Sequence, residues 1–252
     1  MDAKRLIELL ARRYAEVLGD NFVGLYVHGS YAMSGFNPLK SDLDFIIVCS
    51  SVPDIAVKKA IMDTTIAFER MAPAKGLEMH LMLRDECADA AWPPHFELHY
   101  SGAHTAAYLN DPEGFTDRMH GEDPDLGAHL TVMKARGLCA AGPCIDDVFG
   151  TVPKEYYIES ILSDLGWSDG DGMYHVLNHC RTLAYATDGG IRSKKEGALW
   201  ALENLPDDHH ELIREALRCY EGGDAFCPSD EARIFCEKAL CDIKNLLGLS
   251  QT

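Results

Sequence analysis

FVGLYVHGSYAMSGFNPLKSDLDFIIVC, residues 22–49, is the stretch on which the reading of this chain turns. An apolar run ends in His28-Gly29-Ser30, a turn containing Gly35 follows, and Ser41-Asp42-Leu43-Asp44 opens a second apolar run, Phe45-Ile46-Ile47-Val48. Side chains alternate along a strand with period two, so Asp42 and Asp44 project from one face of the strand that begins there. Two carboxylates side by side can hold divalent cations. Gly29 lets the backbone turn tightly and approach a ligand, and Ser30 falls at the start of a short helix whose free N–H groups favour phosphate oxygens. These residues predict a metal and phosphate site that fits the triphosphate of a nucleotide. An acidic pair beside a strand can also be a solvated strand end, but the Gly-Ser prefix and the apolar run on each side favour ligands.

The rest of the chain gives this site a large setting. With 252 residues, 47% of them hydrophobic, the chain can build two domains, each with its own core. Lys and Arg number 23 against 40 Asp and Glu, a net charge of −17. Phosphate backbones and anionic membranes are bound by basic surfaces, so nucleic acid and membrane are excluded as main partners and a cationic substrate suits the chain better. No apolar run approaches the roughly 18 residues of a membrane span, and residues 1–5 lead into an amphipathic helix instead of a signal peptide. A monomeric, cytoplasmic protein is expected. The nine cysteines lack Cys-x-x-Cys spacing, and most, such as Cys49, Cys180 and Cys236, lie in apolar or helical runs. They read as buried thiols, neither disulfides nor a zinc site.

Periodicity orders the elements. Leu6, Ile7, Leu10, Tyr14, Val17 and Leu18 recur at helical spacing and predict a helix over 3–18, ended by Gly19-Asp20-Asn21. A crossover helix is expected over 54–71, between Pro53 and Pro73, followed by a strand over 77–83 with Glu78, His80 and Met82 on one face. One more strand is expected over 96–100, and the Asp-, Gly- and Pro-rich stretch 110–125 reads as a linker. Beyond it the spacing predicts helices over 126–140, 154–165, 173–185, 194–204, 211–220 and 229–247. The fold class expected is α+β, with a mixed-sheet domain over 1–110 and an all-α bundle over 111–252. His80 is read as a packing residue, and His209-His210 as solvated turn residues.

Gly29-Ser30 followed by Asp42-x-Asp44 on a strand resembles the signature of the DNA polymerase β-like nucleotidyltransferase superfamily. Leu130-Thr131, Ala135-Arg136, Gly142-Pro143, Phe149 and Val152-Pro153 are similar to the second domain of the aminoglycoside 3″/9-adenylyltransferases. So is the block from His175-Val176-Leu177-Asn178-His179-Cys180-Arg181 through Asp188-Gly189, Ser193-Lys194-Lys195 and Ala198-Leu199-Trp200-Ala201 to Leu205-Pro206. The likeness spans nearly the whole chain.

The resemblance implies an ATP-dependent enzyme that transfers AMP to a hydroxyl of streptomycin, spectinomycin or both, with two magnesium ions. Asp42 and Asp44 would hold the ions, Glu78 on the neighbouring strand would be the catalytic base or a third metal ligand, and Ser30 and Ser41 would contact the triphosphate or its magnesium. Arg181 and Lys194 match basic residues that reach the nucleotide from the helical domain; Arg181 could instead pair with Asp188 or Glu196, and Lys194 could be an ordinary helix-start lysine. Asp171 falls at an acidic contact to the antibiotic, and a histidine contact aligns with Tyr174 or His175. Small Ala103 stands where streptomycin-modifying members carry an aromatic residue, so the drug-facing surface is not preserved residue by residue. A nucleotidyltransferase acting on a protein or another small hydroxyl substrate is the alternative.

Overall fold

The apolar runs around Asp42 become the centre of a five-stranded sheet. Its strands are β1 (Phe22–Val27), β2 (Leu43–Cys49), β3 (Leu77–Leu83), β5 (Leu98–Tyr100) and β7 (Leu138–Ala141), in the order β5-β3-β2-β1-β7. β2 and β3 run parallel, with Asp44 opposite Glu78, and the other pairs are antiparallel. A separate two-stranded sheet joins β4 (His95–Phe96) to β6 (Gly121–Glu122).

The helices are α1 (Ala3–Leu18), α2 (Gly29–Ala32), α3 (Ile55–Glu69), α4 (Arg84–Ala88), α5 (Thr105–Asn110), α6 (Pro112–Arg118), α7 (Leu126–Arg136) and α8 (Ile145–Val148). They continue with α9 (Lys154–Ser163), α10 (Gly172–Asp188), α11 (Lys194–Asn204), α12 (His210–Tyr220) and α13 (Asp230–Leu246). This computed structural model describes residues 2–168, 172–223, 225–227 and 229–249, and the chain divides into the units Met1–Ser160 and Ile161–Thr252.

In the first unit the alternation of β2 sorts the core into two layers. Leu43, Phe45, Ile47 and Cys49 face α1 and α3, joining Leu6, Leu10, Tyr14 and Ile61. Ile46 and Val48 face the other way, against Leu126, Leu130 and Met133 of α7 and Phe149. Asp44 shares the parity of Ile46, so the acidic pair belongs to the α7 side. The helix starts are chemically marked: the Asp2 carboxylate accepts the Lys4 N–H and the Asp54 carboxylate accepts the Val57 N–H. Lys58 Nζ of α3 meets Glu97 Oε2 at 2.8 Å, both side chains nearly buried, which ties the helix to the sheet where β4 gives way to β5. The expected strand over 96–100 is split at that glutamate.

Three expectations are corrected. The stretch 110–125 is no bare linker: it holds α6, whose Gly114 N–H is capped by the Asp111 carboxylate, and β6. The helix expected over 126–140 stops at Arg136, and 138–141 add an edge strand to β1. The compact units therefore part at 160/161 and not at 110/111, because β7 hydrogen-bonds to the sheet and α7 covers its face. Cys139, Cys144, Cys227 and Cys241 are exposed, while Cys49, Cys87, Cys180, Cys219 and Cys236 are buried as free thiols.

The second unit is helical. α10 is its hub, buried along most of its length and packed by α11, α12 and α13 around Val176, Leu177, Ile213 and Phe235. Gly197 of α11 lies against the backbone of Arg181, where a Cβ would collide with the Cα and N of α10. Ser193 and Glu196 form a capping box at the start of α11, and the predicted bounds of that helix are reproduced. Among the described residues no helix is long and apolar enough to cross a membrane.

Candidate active site

β1 ends in His28, whose N–H donates to the Asp44 carbonyl at 3.1 Å, so the turn after β1 is laid directly over the head of β2. Gly29 then takes a positive φ of 63°, and a Cβ there would collide with the Asp44 carboxylate. Only glycine permits that approach. Ser30 follows in α2 with its Oγ buried and without a hydrogen-bond partner. Ser41 Oγ, by contrast, accepts the Asn37 N–H at 3.1 Å, closing the loop that delivers Asp42 and leaving the hydroxyl hydrogen to donate.

Asp42, Asp44 and Glu78 each present a carboxylate oxygen within 4.8 Å of the other two. Parallel pairing of β2 with β3 produces this, since it sets Glu78 beside Asp44. Burial raises the Glu78 carboxyl above the usual glutamate range; Asp42, Asp123 and Asp125 push it further and His129 opposes them. Three carboxylates so close together repel one another unless a cation or a proton intervenes. The donor set is all oxygen, the preference of magnesium, so the residues fit the ion that the superfamily signature implies.

A second cluster abuts the first and was not foreseen. His80, two residues along β3 from Glu78, stacks on His99 of β5 at 4.1 Å, its register partner across the sheet. His129 of α7 lies 5.6 Å from His80 and 4.7 Å from His28, ring centre to ring centre. Asp123 Oδ2 stands 3.5 Å from His80 Nε2, and the imidazole holds the Asp123 carboxyl down at about 2. Burial lowers His80 to about 4 and His99 to about 3, and holds His28 well below the ordinary imidazole range. The sequence carried one signal for this group, the shared face of Glu78 and His80; His99 and His129 bore no mark in the chain order.

These imidazoles make a pH prediction. An unfolded chain protonates them near 6.5, whereas the native state keeps them neutral until about 4 at His80 and about 3 at His99. Stability is therefore whole above about pH 6.5 and is lost as the pH falls toward 4 and 3, since the unfolded state binds the protons first. Glu78, raised in the native state, works in the opposite direction as the pH falls through its raised value. The urea midpoint is expected to be clearly lower at pH 5.0 than at pH 7.5, and less so in His99→Gln. Equal midpoints at the two pH values would contradict neutral burial.

The second unit holds the remaining sequence-selected residues. Lys194 Nζ lies over the Tyr174 ring, 4.8 Å from its centre. Arg181 reaches Asp164 at 3.6 Å and neither Asp188, which binds Arg192, nor Glu196, which caps α11. His175 is buried, its Nε2 accepting the Ser168 N–H at 3.0 Å and its ring tilted over Trp167. Asp171 lies outside the described residues. His209 and His210 are half-buried and not solvated, with His210 Nε2 donating to the Leu205 carbonyl at 2.9 Å.

Residues 147–236 match the family model described as aminoglycoside adenylyltransferase, C-terminal domain. A spectinomycin 9-adenylyltransferase of Staphylococcus aureus is 26% identical over 219 residues, 82% of this chain and 81% of that one. An aminoglycoside (3'') (9) adenylyltransferase of Klebsiella pneumoniae is 23% identical over 234 residues, 86% of this chain and 87% of the other. Over most of its length the chain is similar to aminoglycoside adenylyltransferases. The fold agrees: the crystal structure of spectinomycin adenyltransferase AAD(9) from Enterococcus faecialis with ATP and spectinomycin superposes with a TM-score of 0.79. That match is 20% identical and covers 95% of this chain and 98% of the other. The family model falls on the later part of the chain, so the carboxylate trio at the head of β2 and β3 is an observation independent of it.

Proposed function

We propose that this chain transfers AMP from ATP to a hydroxyl of an aminocyclitol or aminoglycoside antibiotic, spectinomycin or streptomycin, and so confers resistance to it. The observation that carries the reading is the convergence of Asp42, Asp44 and Glu78 beneath a Gly29 whose backbone leaves room for nothing larger. Asp42 and Asp44 would hold magnesium, with two ions the expected number. Bound there, magnesium supplies charge neutralisation for the triphosphate and the departing pyrophosphate.

The chain's own residues do the rest. Glu78, its carboxyl raised by burial above the usual glutamate range, accepts the proton of the acceptor hydroxyl as that oxygen attacks the α-phosphorus. The bond from the α-phosphorus to the bridging oxygen breaks, and pyrophosphate leaves in line. Ser30 Oγ, buried and unpartnered, donates to a phosphate oxygen, and Ser41 has its hydroxyl hydrogen available for the same purpose. Arg181 and Lys194 are assigned to the nucleotide, whose negative charge exceeds what the ions cancel. Of the aligned pair, Tyr174 is assigned to the substrate, because the His175 ring is buried and already accepts the Ser168 N–H. Asp171 is retained as the contact to a substrate ammonium group. The net charge of −17 draws a polycationic drug toward the protein. We place the reaction in the cytoplasm and in a single chain.

Incubating the purified chain with ATP, magnesium and a panel including spectinomycin and streptomycin tests the reading. Pyrophosphate release and a mass gain of one adenylyl group are expected on one or both drugs. Release with none of them, against a positive-control family enzyme, would overturn it.

A further inference from the structure

Glu78 faces two ways. On one side it completes the carboxylate trio; on the other, Glu78, His80 and His129 each present a ligand atom within 4.8 Å of the other two. We propose that Glu78, His80 and His129 form a site for a borderline first-row dication, zinc(II) above all, distinct in chemistry from the all-oxygen trio.

The nitrogens bear on this directly. His80 is 1% exposed, and its Nε2 makes no well-formed hydrogen bond, its nearest polar neighbour being Asp123 Oδ2 at 3.5 Å. His129 Nδ1 is buried and unpartnered. An unmet buried polar atom is costly and uncommon in folded proteins. Two imidazoles beside a carboxylate, one with a buried unpartnered nitrogen, match the donor set of a zinc centre with an open fourth position.

Imidazole favours zinc over magnesium, which takes oxygen ligands and keeps its waters. Asp123, 3.5 Å from His80 Nε2, lies beside the same nitrogen and adds a further oxygen donor next to the cluster. Zinc binds its ligands at about 2.0–2.1 Å in a tetrahedron, which sets them about 3.4 Å apart. The His129 side chain, on the surface of α7 and half-buried, can close that gap by a small rotation. The ring contacts with His28 and His99 hold the two imidazoles close to position beforehand.

The site stands on its own ligands and does not depend on the transferase reading. Where that reading holds, zinc takes the Glu78 carboxylate that would accept the hydroxyl proton, so it inhibits transfer even with magnesium in excess.

The test uses the full, magnesium-free chain with the metal alone, cobalt(II) as the spectroscopic stand-in for zinc. One cobalt per chain is expected, with the visible bands of a four- or five-coordinate ion and without the near-ultraviolet thiolate band that the exposed cysteines would give. Zinc displaces it. His129→Gln should weaken binding at least tenfold while keeping the parent urea midpoint at pH 7.5, and His120→Gln, exposed and outside the cluster, should leave binding unchanged. Absence of stoichiometric metal, a thiolate band, or unaltered affinity in His129→Gln would each overturn the proposal and return the histidines to packing.

Discussion

Asp42→Asn and Asp44→Asn are each expected to lower adenylyl transfer at least about a thousandfold, since a catalytic metal contributes several kcal/mol to the transition state and about 1.4 kcal/mol is a factor of ten. Neither change removes core volume. Both side chains are half-buried at the head of β2, and the bond that orders the preceding turn goes from His28 N–H to the Asp44 carbonyl, which asparagine keeps. The electrostatics sharpen the test. Without magnesium the three carboxylates repel one another, so each variant should have a urea midpoint equal to or above that of the parent. With magnesium added the parent should gain stability through binding and the variants should not. Turnover within tenfold of the parent, or an equal magnesium-dependent gain in the variants, would remove Asp42 and Asp44 from the metal site.

Glu78→Gln separates two roles for the residue that both clusters share. A general base contributes about 10²–10⁴-fold in rate, so turnover should fall at least about a hundredfold at neutral pH while the affinity for ATP with magnesium stays near that of the parent. Burial raises the parent carboxyl, so the rate carried by Glu78 should decline as the pH falls through a value above the ordinary glutamate range. Glutamine preserves the shape and an oxygen donor but cannot accept the proton, and that limb of the pH profile should vanish in the variant. Calorimetry decides the matter. Loss of ATP–magnesium binding in Glu78→Gln would make Glu78 a third metal ligand and not the base.

Much of the site was legible because it depends on local rules. Asp42 and Asp44 share a face through strand alternation, and Glu78 and His80 share one for the same reason. The close passage of Gly29 over Asp44 answers to a glycine whose need was visible in the His28-Gly29-Ser30 turn. The histidine cluster was hidden because its members come from the end of β1, from β3, from β5 and from α7. Periodicity says which residues share a face of one element, and is silent on which elements lie opposite that face. Asp123 shows the same limit: in a stretch composed like a linker it reads as solvent-facing, but the turn before α7 brings it against His80.

The helices of the second unit were set by sequence alone to within three residues, because capping residues such as Ser193 and Ser229 and the apolar spacing act within each segment. The succession of β1, β2 and β3 along the chain and the acidic pair at the head of β2 were determined in the same way. Only the tertiary structure decided the fate of Leu138–Ala141. Those four residues lack a strong strand pattern, and they became a strand because the free edge of β1 offers unpaired N–H and C=O groups that must be satisfied. That one edge pairing draws the chain beyond residue 110 into the first unit and moves the division to 160/161. It also leaves α7 across the sheet face, where His129 meets Glu78, a contact that no local rule could specify.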